Sequence, residues 1–181
     1  MILPTAYLPP LSYIQALMSE PATIEQMETF EKQTFRNRCT IAMHNSQCTM
    51  HNYELVRLTV PVKKVEHKQL TRDIQIRYQT RWQHQHWITL VSAYQQTPYF
   101  MYFADYLRPF YEKEYKWLLD LNDEMNATLV SLVRKQKPSV VNIQHSARTS
   151  DWSGQIWTDK HPWQTELSIL DTLFDEGDRL E

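Results

Sequence analysis

Ile2-Leu3-Pro4-Thr5-Ala6-Tyr7-Leu8-Pro9-Pro10, running into Leu11-Ser12-Tyr13-Ile14-Gln15-Ala16-Leu17-Met18 and then Ala22-Thr23-Ile24-Glu25-Gln26, is the stretch that decides the fold. Ile2 and Leu3 read as a short buried strand that leaves into a proline-set loop. Pro9 and Pro10 stand at the first turn of the helix over Leu11–Met18, where a missing N–H costs little. Ala22 to Gln26 reads as a second strand. Strand, loop, short helix, strand is the opening of a βαβ unit. α/β domains place ligands in loops at the carboxyl ends of parallel strands, so the Pro4–Pro10 loop is a candidate wall of a site. Plain turn chemistry is the alternative reading of its prolines.

The next segment outward, Lys32-Gln33-Thr34-Phe35-Arg36-Asn37-Arg38, changes the charge of the chain. The first 31 residues carry Glu20, Glu25, Glu28 and Glu31 and no Lys or Arg. Three cations then arrive within seven residues. Arg36 and Arg38 are two apart, so in a strand they would share a face and could fork around one anion. A pair of solvated arginines entering a strand is the other reading. Arg38–His44 and Glu54–Val62 read as an antiparallel hairpin. Val56, Leu58, Val60 and Val62 fall on one face of its second strand, Arg57 and Thr59 on the other. Lys63 to Arg81 is the most basic region, a solvated face by default, with Ile74 and Ile76 marking another short strand.

From Arg81 to Gln96 the period is helical, with Trp87, Leu90, Val91 and Tyr94 on one stripe. Trp82 and His86 are i, i+4 neighbours at its margin. His84 and His86 point to different sides and cannot chelate one metal from a helix. Thr97-Pro98 reads as an N-cap with Pro at the first helical position, opening a helix that stops before Pro109. A longer helix follows over Tyr111–Lys135, with Asn122 on its inner face as a buried amide that needs partners. Ser139–Gln144 is the last strand, and Arg148–Trp163 a Trp-rich loop. Ser168-Ile169-Leu170-Asp171 fits a capping box, and Gly177 ends that helix. Asp175 and Glu176 lie in its last turn, where the helix dipole disfavours anions.

Composition narrows the chemistry. A chain of 181 residues with six Trp, ten Tyr and six Phe is long enough for one packed domain, residues 1–181. Net charge is −2, which makes no general case for nucleic-acid binding. The two glycines, Gly154 and Gly177, cannot build a Walker loop, a dinucleotide-binding turn or a nucleophile elbow. Any phosphate must be held by side chains or helix ends. Cys39 and Cys48 lack the spacing of a zinc or dithiol site, so two free thiols and no metal are expected. No window reaches the length of a membrane span. A cytosolic protein without membrane insertion is expected, of α/β class: a mixed sheet opening with a βαβ unit, an antiparallel hairpin, and helices packed on it.

Five blocks, in order, resemble the WbqC-like family in the form seen among Bacteroides-type sequences. They are Leu3–Pro10 with Ser12-Tyr13; Glu31–Cys39; Leu58–Val62; Trp82 with His86-Trp87, Ala93-Tyr94 and Pro98-Tyr99-Phe100; and Leu167–Asp171 with Leu173-Phe174 and Glu176-Gly177. The resemblance implies a bacterial role in O-antigen or other surface-polysaccharide synthesis: transfer of glycine or a similar acyl group to an amino sugar, free or nucleotide-linked. It carries no particular cofactor or catalytic residue over to positions of this chain, so the cofactor stays open.

N-acyl transfer needs a deprotonated amine, a place for the developing oxyanion, and anchors for donor and acceptor. His86 is the candidate base, a core-bonded histidine being the alternative, and Asn37 the candidate oxyanion donor. Arg36 and Arg38, with Lys32 nearby, would hold the phosphates of a nucleotide sugar or other phosphorylated small molecule. Arg36→Ala is expected to abolish anion binding and leave folding intact. Asp171 or Glu176 would hold the ammonium of a glycyl group, although capping alone explains Asp171. Tyr7 and Tyr94 would offer a sugar wall. The donor stays open between free glycine with ATP, an aminoacyl-tRNA and an acyl-CoA. Two other readings stand beside this one. Nucleotidyl or adenylyl transfer fits the loop layout but lacks its paired histidines. A non-catalytic nucleotide-sugar binder or partner protein is the third.

Overall fold

The structure is a computed structural model, and it describes residues 2–19, 22–44, 53–97, 100–133, 144–146, 168 and 170. The βαβ opening forms. Strand β1 (Ile2–Pro4), helix α1 (Leu11–Ser19) and strand β2 (Thr23–Glu25) follow in order, and β2 pairs parallel with both β1 and a later strand, β5 (Gln144–Ser146). The sheet order is β1-β2-β5, with Leu3 opposite Ile24 and Ile24 opposite His145. Pro4 is tolerated because β1 lies at the edge of that order, where an absent N–H breaks no ladder. Leu3 and Ile24 are buried, as strands of a covered parallel sheet must be.

The hairpin also forms, from β3 (Arg38–His44) and β4 (Tyr53–Thr59), in a register running from Arg38 opposite Thr59 to His44 opposite Tyr53. The side-chain period of two sorts its faces. Cys39, Ile41, Val56 and Leu58 pack into the core. Arg38, Thr40, Arg57 and Thr59 share the opposite face, which the pairing requires.

Three expectations need correction. The Ile74–Ile76 segment is not a strand but a 3₁₀ turn (Thr71–Asp73) followed by single bridges, Ile76 to Val62 and Gln75 to Trp117. Pro61, beside Val62, has no N–H with which to extend that pairing, though its carbonyl accepts from Arg77 N at 2.9 Å. Helix α2 spans Trp82–Tyr94, but α3 (Phe100–Glu112) runs through Pro109 instead of stopping before it. Pro109 and Asp105, whose carbonyl loses its partner, are both exposed, so water satisfies the freed group. The apolar stripe of Phe103, Leu107 and Phe110 holds the helix together across the break. The expected cap at Thr97-Pro98 falls on the boundary of the described residues. The Thr97 hydroxyl donates back to the Tyr94 carbonyl at 2.6 Å, and Pro98 lies outside the described residues.

Helix α4 covers Leu118–Val133, seven residues later than the expected start at Tyr111. Residues 113–117 are held out of the helix because the Tyr78 hydroxyl takes both backbone groups of Tyr115, accepting from N at 2.7 Å and donating to O at 3.0 Å. Leu118, Leu121, Met125 and Leu129 are fully buried, which places α4 at the centre of the core. The Arg148–Trp163 loop lies outside the described residues.

Candidate functional site

The loop after β1 forms one wall of a cavity of about 740 Å³. Tyr7, Leu8, Pro9 and Pro10 contribute that wall, Gln33, Thr34 and Phe35 the next, and Arg38, Cys39, Thr40, Leu55, Arg57 and Ser168 the rest. Two buried amides on successive turns of α4 hold the loop in place. Asn122 Nδ2 donates to Thr5 Oγ1 at 3.0 Å and to the Arg36 carbonyl at 2.9 Å. Asn126 Nδ2 donates to the Ala6 carbonyl at 3.0 Å. Tyr7 N then donates to the Phe35 carbonyl at 2.9 Å, closing the loop against the basic block. Ser168 N donates to the Thr40 carbonyl at 2.9 Å and brings the terminal segment to the rim.

Backbone strain collects at this cavity. Leu8 (φ 43°) and Gln33 (φ 63°) adopt left-handed conformations that ordinarily favour glycine, and both line it. For the buried Leu8 such a conformation is a costly choice, held by its surroundings.

The basic block divides at the start of β3. Arg36 lies in the preceding turn, not in the strand, so it does not share a strand face with Arg38. It is 4% exposed and grips Glu28 with two parallel bonds, Nε to Oε1 at 2.7 Å and Nη2 to Oε2 at 2.6 Å. An Arg buried in this way is a structural anchor, so Arg36→Ala is not a variant that leaves folding intact. Arg38 instead lines the cavity, with Nε donating to Thr59 Oγ1 at 3.0 Å. Across the hairpin, Arg57 lines it too. Neither Arg38 nor Arg57 has an acidic partner among the described residues. No Asp, Glu or His is among the described residues that line the cavity.

His86 lies beneath the cavity and does not line it. It is buried against Trp82, the ring centres 5.1 Å apart. Tyr7 Oη lies 2.9 Å from His86 Nδ1 and 3.1 Å from Tyr111 Oη, within hydrogen-bond reach of both. Burial lowers the imidazole from 6.5 to about 4, against the opposing pull of a hydrogen bond with the Thr59 backbone, which favours the charged imidazole. His86 is therefore neutral near pH 7. The phenol of Tyr7 is pushed well above its ordinary value, first by burial and then by Tyr111 and Cys39.

The other candidates lie elsewhere. Asn37 is buried, with Nδ2 donating to the Val60 carbonyl at 3.0 Å, a bond that pins the base of the hairpin. Lys32 is exposed and does not line the cavity. Tyr94 packs in the core against Phe100. Asp171 and Glu176 lie outside the described residues. Among the described residues no group of His, Cys, Asp and Glu could hold a metal. No helix of the described residues is long and apolar enough to cross a membrane. A second cavity of about 710 Å³ lies between Lys63-Lys64, Gln75–Gln79 and Glu114–Lys116, and it mixes four cations with Glu114.

Arg57, Asn126 and Tyr111 are the participants that sequence reasoning missed. Alternation in β4 put Arg57 on the face away from the core, but only the register set it beside Thr40 and Arg38.

The structure is a small α/β domain with a cavity, lined by Arg38 and Arg57, where the first parallel strand ends. The chain belongs to the WbqC-like protein family, whose model matches residues 5–156. Among curated proteins and among solved structures, nothing matches the chain.

Proposed function

We propose that this protein is a transferase of surface-polysaccharide synthesis that moves a glycyl-type acyl group onto an amino sugar carried on phosphate. One observation carries the reading: the cavity at the carboxyl end of β1 holds two arginines without acidic partners among the described residues. Family membership supports the same class of work. In this reaction the sugar amine attacks the acyl carbonyl and the C–N bond forms. The bond to the leaving group then breaks, taking its electron pair, and the amine proton passes to water at the cavity mouth. His86, held near 4, is a poor acceptor for an ammonium proton. Its part in this reading is to fix Tyr7 in the wall, and Asn37 has the same supporting rank beneath the hairpin. Catalysis then rests on holding two substrates together.

A second reading rests on the lack of Asp, Glu and His among the described lining residues: a nucleotide-sugar binder that does no chemistry. Incubating the full chain with nucleotide-linked amino sugars and labelled glycine separates the two. The glycine is supplied with ATP, as glycyl-tRNA or as a glycyl thioester. An N-acylated sugar in the mass spectrum is the expected product. Sugar-nucleotide binding with no product from any donor would replace the transferase with the binder.

A further inference from the structure

We infer that Arg38 and Arg57 form a clamp for the diphosphate of a nucleotide-linked sugar, which names the substrate class of the cavity and rests on its reading as a ligand site. The register places Arg38 opposite Thr59 and Arg57 opposite Thr40, so the two arginines are diagonal neighbours on one face of the hairpin. Diagonal pairs stand roughly 7–8 Å apart, a span that long side chains bridge. Two guanidiniums at that separation meet two linked phosphates one to one, each presenting a planar fork to phosphate oxygens.

Their surroundings set them apart from the other arginine of the basic block. Arg36 has its fork filled by Glu28. Among the described residues Arg38 is oriented by one side-chain bond, from Nε to Thr59, and its terminal nitrogens bond none of them. Two like charges side by side repel each other, and no described lining residue is acidic to offset them. An anion is the missing partner. Charge count then selects among anions: a diphosphate diester carries two negative charges, against about four on ATP or coenzyme A. The cavity, at about 740 Å³, falls within the ordinary size of small-molecule sites. Phe35 and Leu8 give it apolar wall for the base or sugar beyond the phosphates.

The test is calorimetric titration of the full chain with the diphosphate diesters UDP-, GDP-, CDP- and dTDP-sugar, and with the matching nucleoside monophosphates and coenzyme A. Saturable binding of at least one diphosphate is expected, weakened about tenfold or more by Arg57→Ala and again by Arg38→Ala. Arg57→Lys should recover part of the loss, since it keeps the charge without the fork. Binding of none of the diphosphates overturns the clamp. So does diphosphate binding that both alanine variants leave unchanged, or coenzyme A bound more tightly than every diphosphate. Arginine-dependent diphosphate binding upholds the clamp even where no acyl transfer is found, a result that would sink only the transfer reading.

Discussion

The polar groups beneath the cavity and those on its wall obey opposite rules. Beneath, Arg36 is matched by Glu28, Asn122 and Asn126 donate to loop carbonyls and Thr5, and His86 is bonded to Tyr7. On the wall, Arg38 and Arg57 face a concave space with no acid among the described residues beside them. Burial forces the first group to find partners within the chain, because an unmatched buried charge costs several kcal/mol. Water excuses the second group, which stays available to a ligand. Residues of one type, two positions apart, therefore do different work.

The largest effect that would break this contrast belongs to Arg36. Arg36→Ala strands Glu28 beneath the loop and should cost about 3 kcal/mol in urea unfolding. A loss under about 1 kcal/mol would mean that Arg36 is as dispensable as a surface residue.

The pH profile comes next. His86 titrates at 6.5 unfolded and at about 4 folded, so between those values the unfolded chain binds more protons. Its contribution is complete above pH 6.5 and is lost as pH falls toward 4. Asp123 works the other way. Burial first, and Asp120 second, raise its carboxyl from 3.8 to about 7, so its contribution holds at low pH and is lost as pH rises through 7. The two oppose each other over pH 4–6.5. Asp123→Asn should unmask His86, with stability rising by on the order of 3 kcal/mol from pH 4 to 6.5. A flat profile in that variant would remove His86 from the buried layer.

Asn122→Ala takes the donor from Thr5 and from the Arg36 carbonyl together, and should cost about 2 kcal/mol. Asn126→Ala removes one such bond, and chemical denaturation should report about half as much. The smallest effect sharpens the contrast most. Arg57→Ala should leave unfolding within about 0.5 kcal/mol of the parent, since the side chain is exposed and has no partner among the described residues to abandon.

Much of this frame was legible before any coordinates. The βαβ opening, the hairpin, α1 and α2 follow from proline placement and apolar period, which are local signals. The boundary between α3 and α4 was not, because it depends on Tyr78 capturing Tyr115 from 37 residues away. The need of Asn122 for partners could be read from its place on an apolar stripe, but not who those partners are. The site was less legible still. Arg36 and Arg38 look alike in sequence, and only Glu28 folding back across the turn tells them apart. His86 looked like a marginal base, whereas Tyr7 reaches it from 79 residues away and closes it off.

The bonds from Asn122 to Thr5 and from Asn126 to Ala6 also set the order of events at the ribosome. They join residues 117 and 120 positions apart, so the loop that walls the cavity waits for α4 to be synthesised. At roughly 5–20 residues per second, translation keeps Thr5 and Ala6 without these partners for at least several seconds. A nascent chain truncated before Asn122 lacks both clasps. The wall of the cavity is therefore complete only after Asn122 and Asn126 have been synthesised.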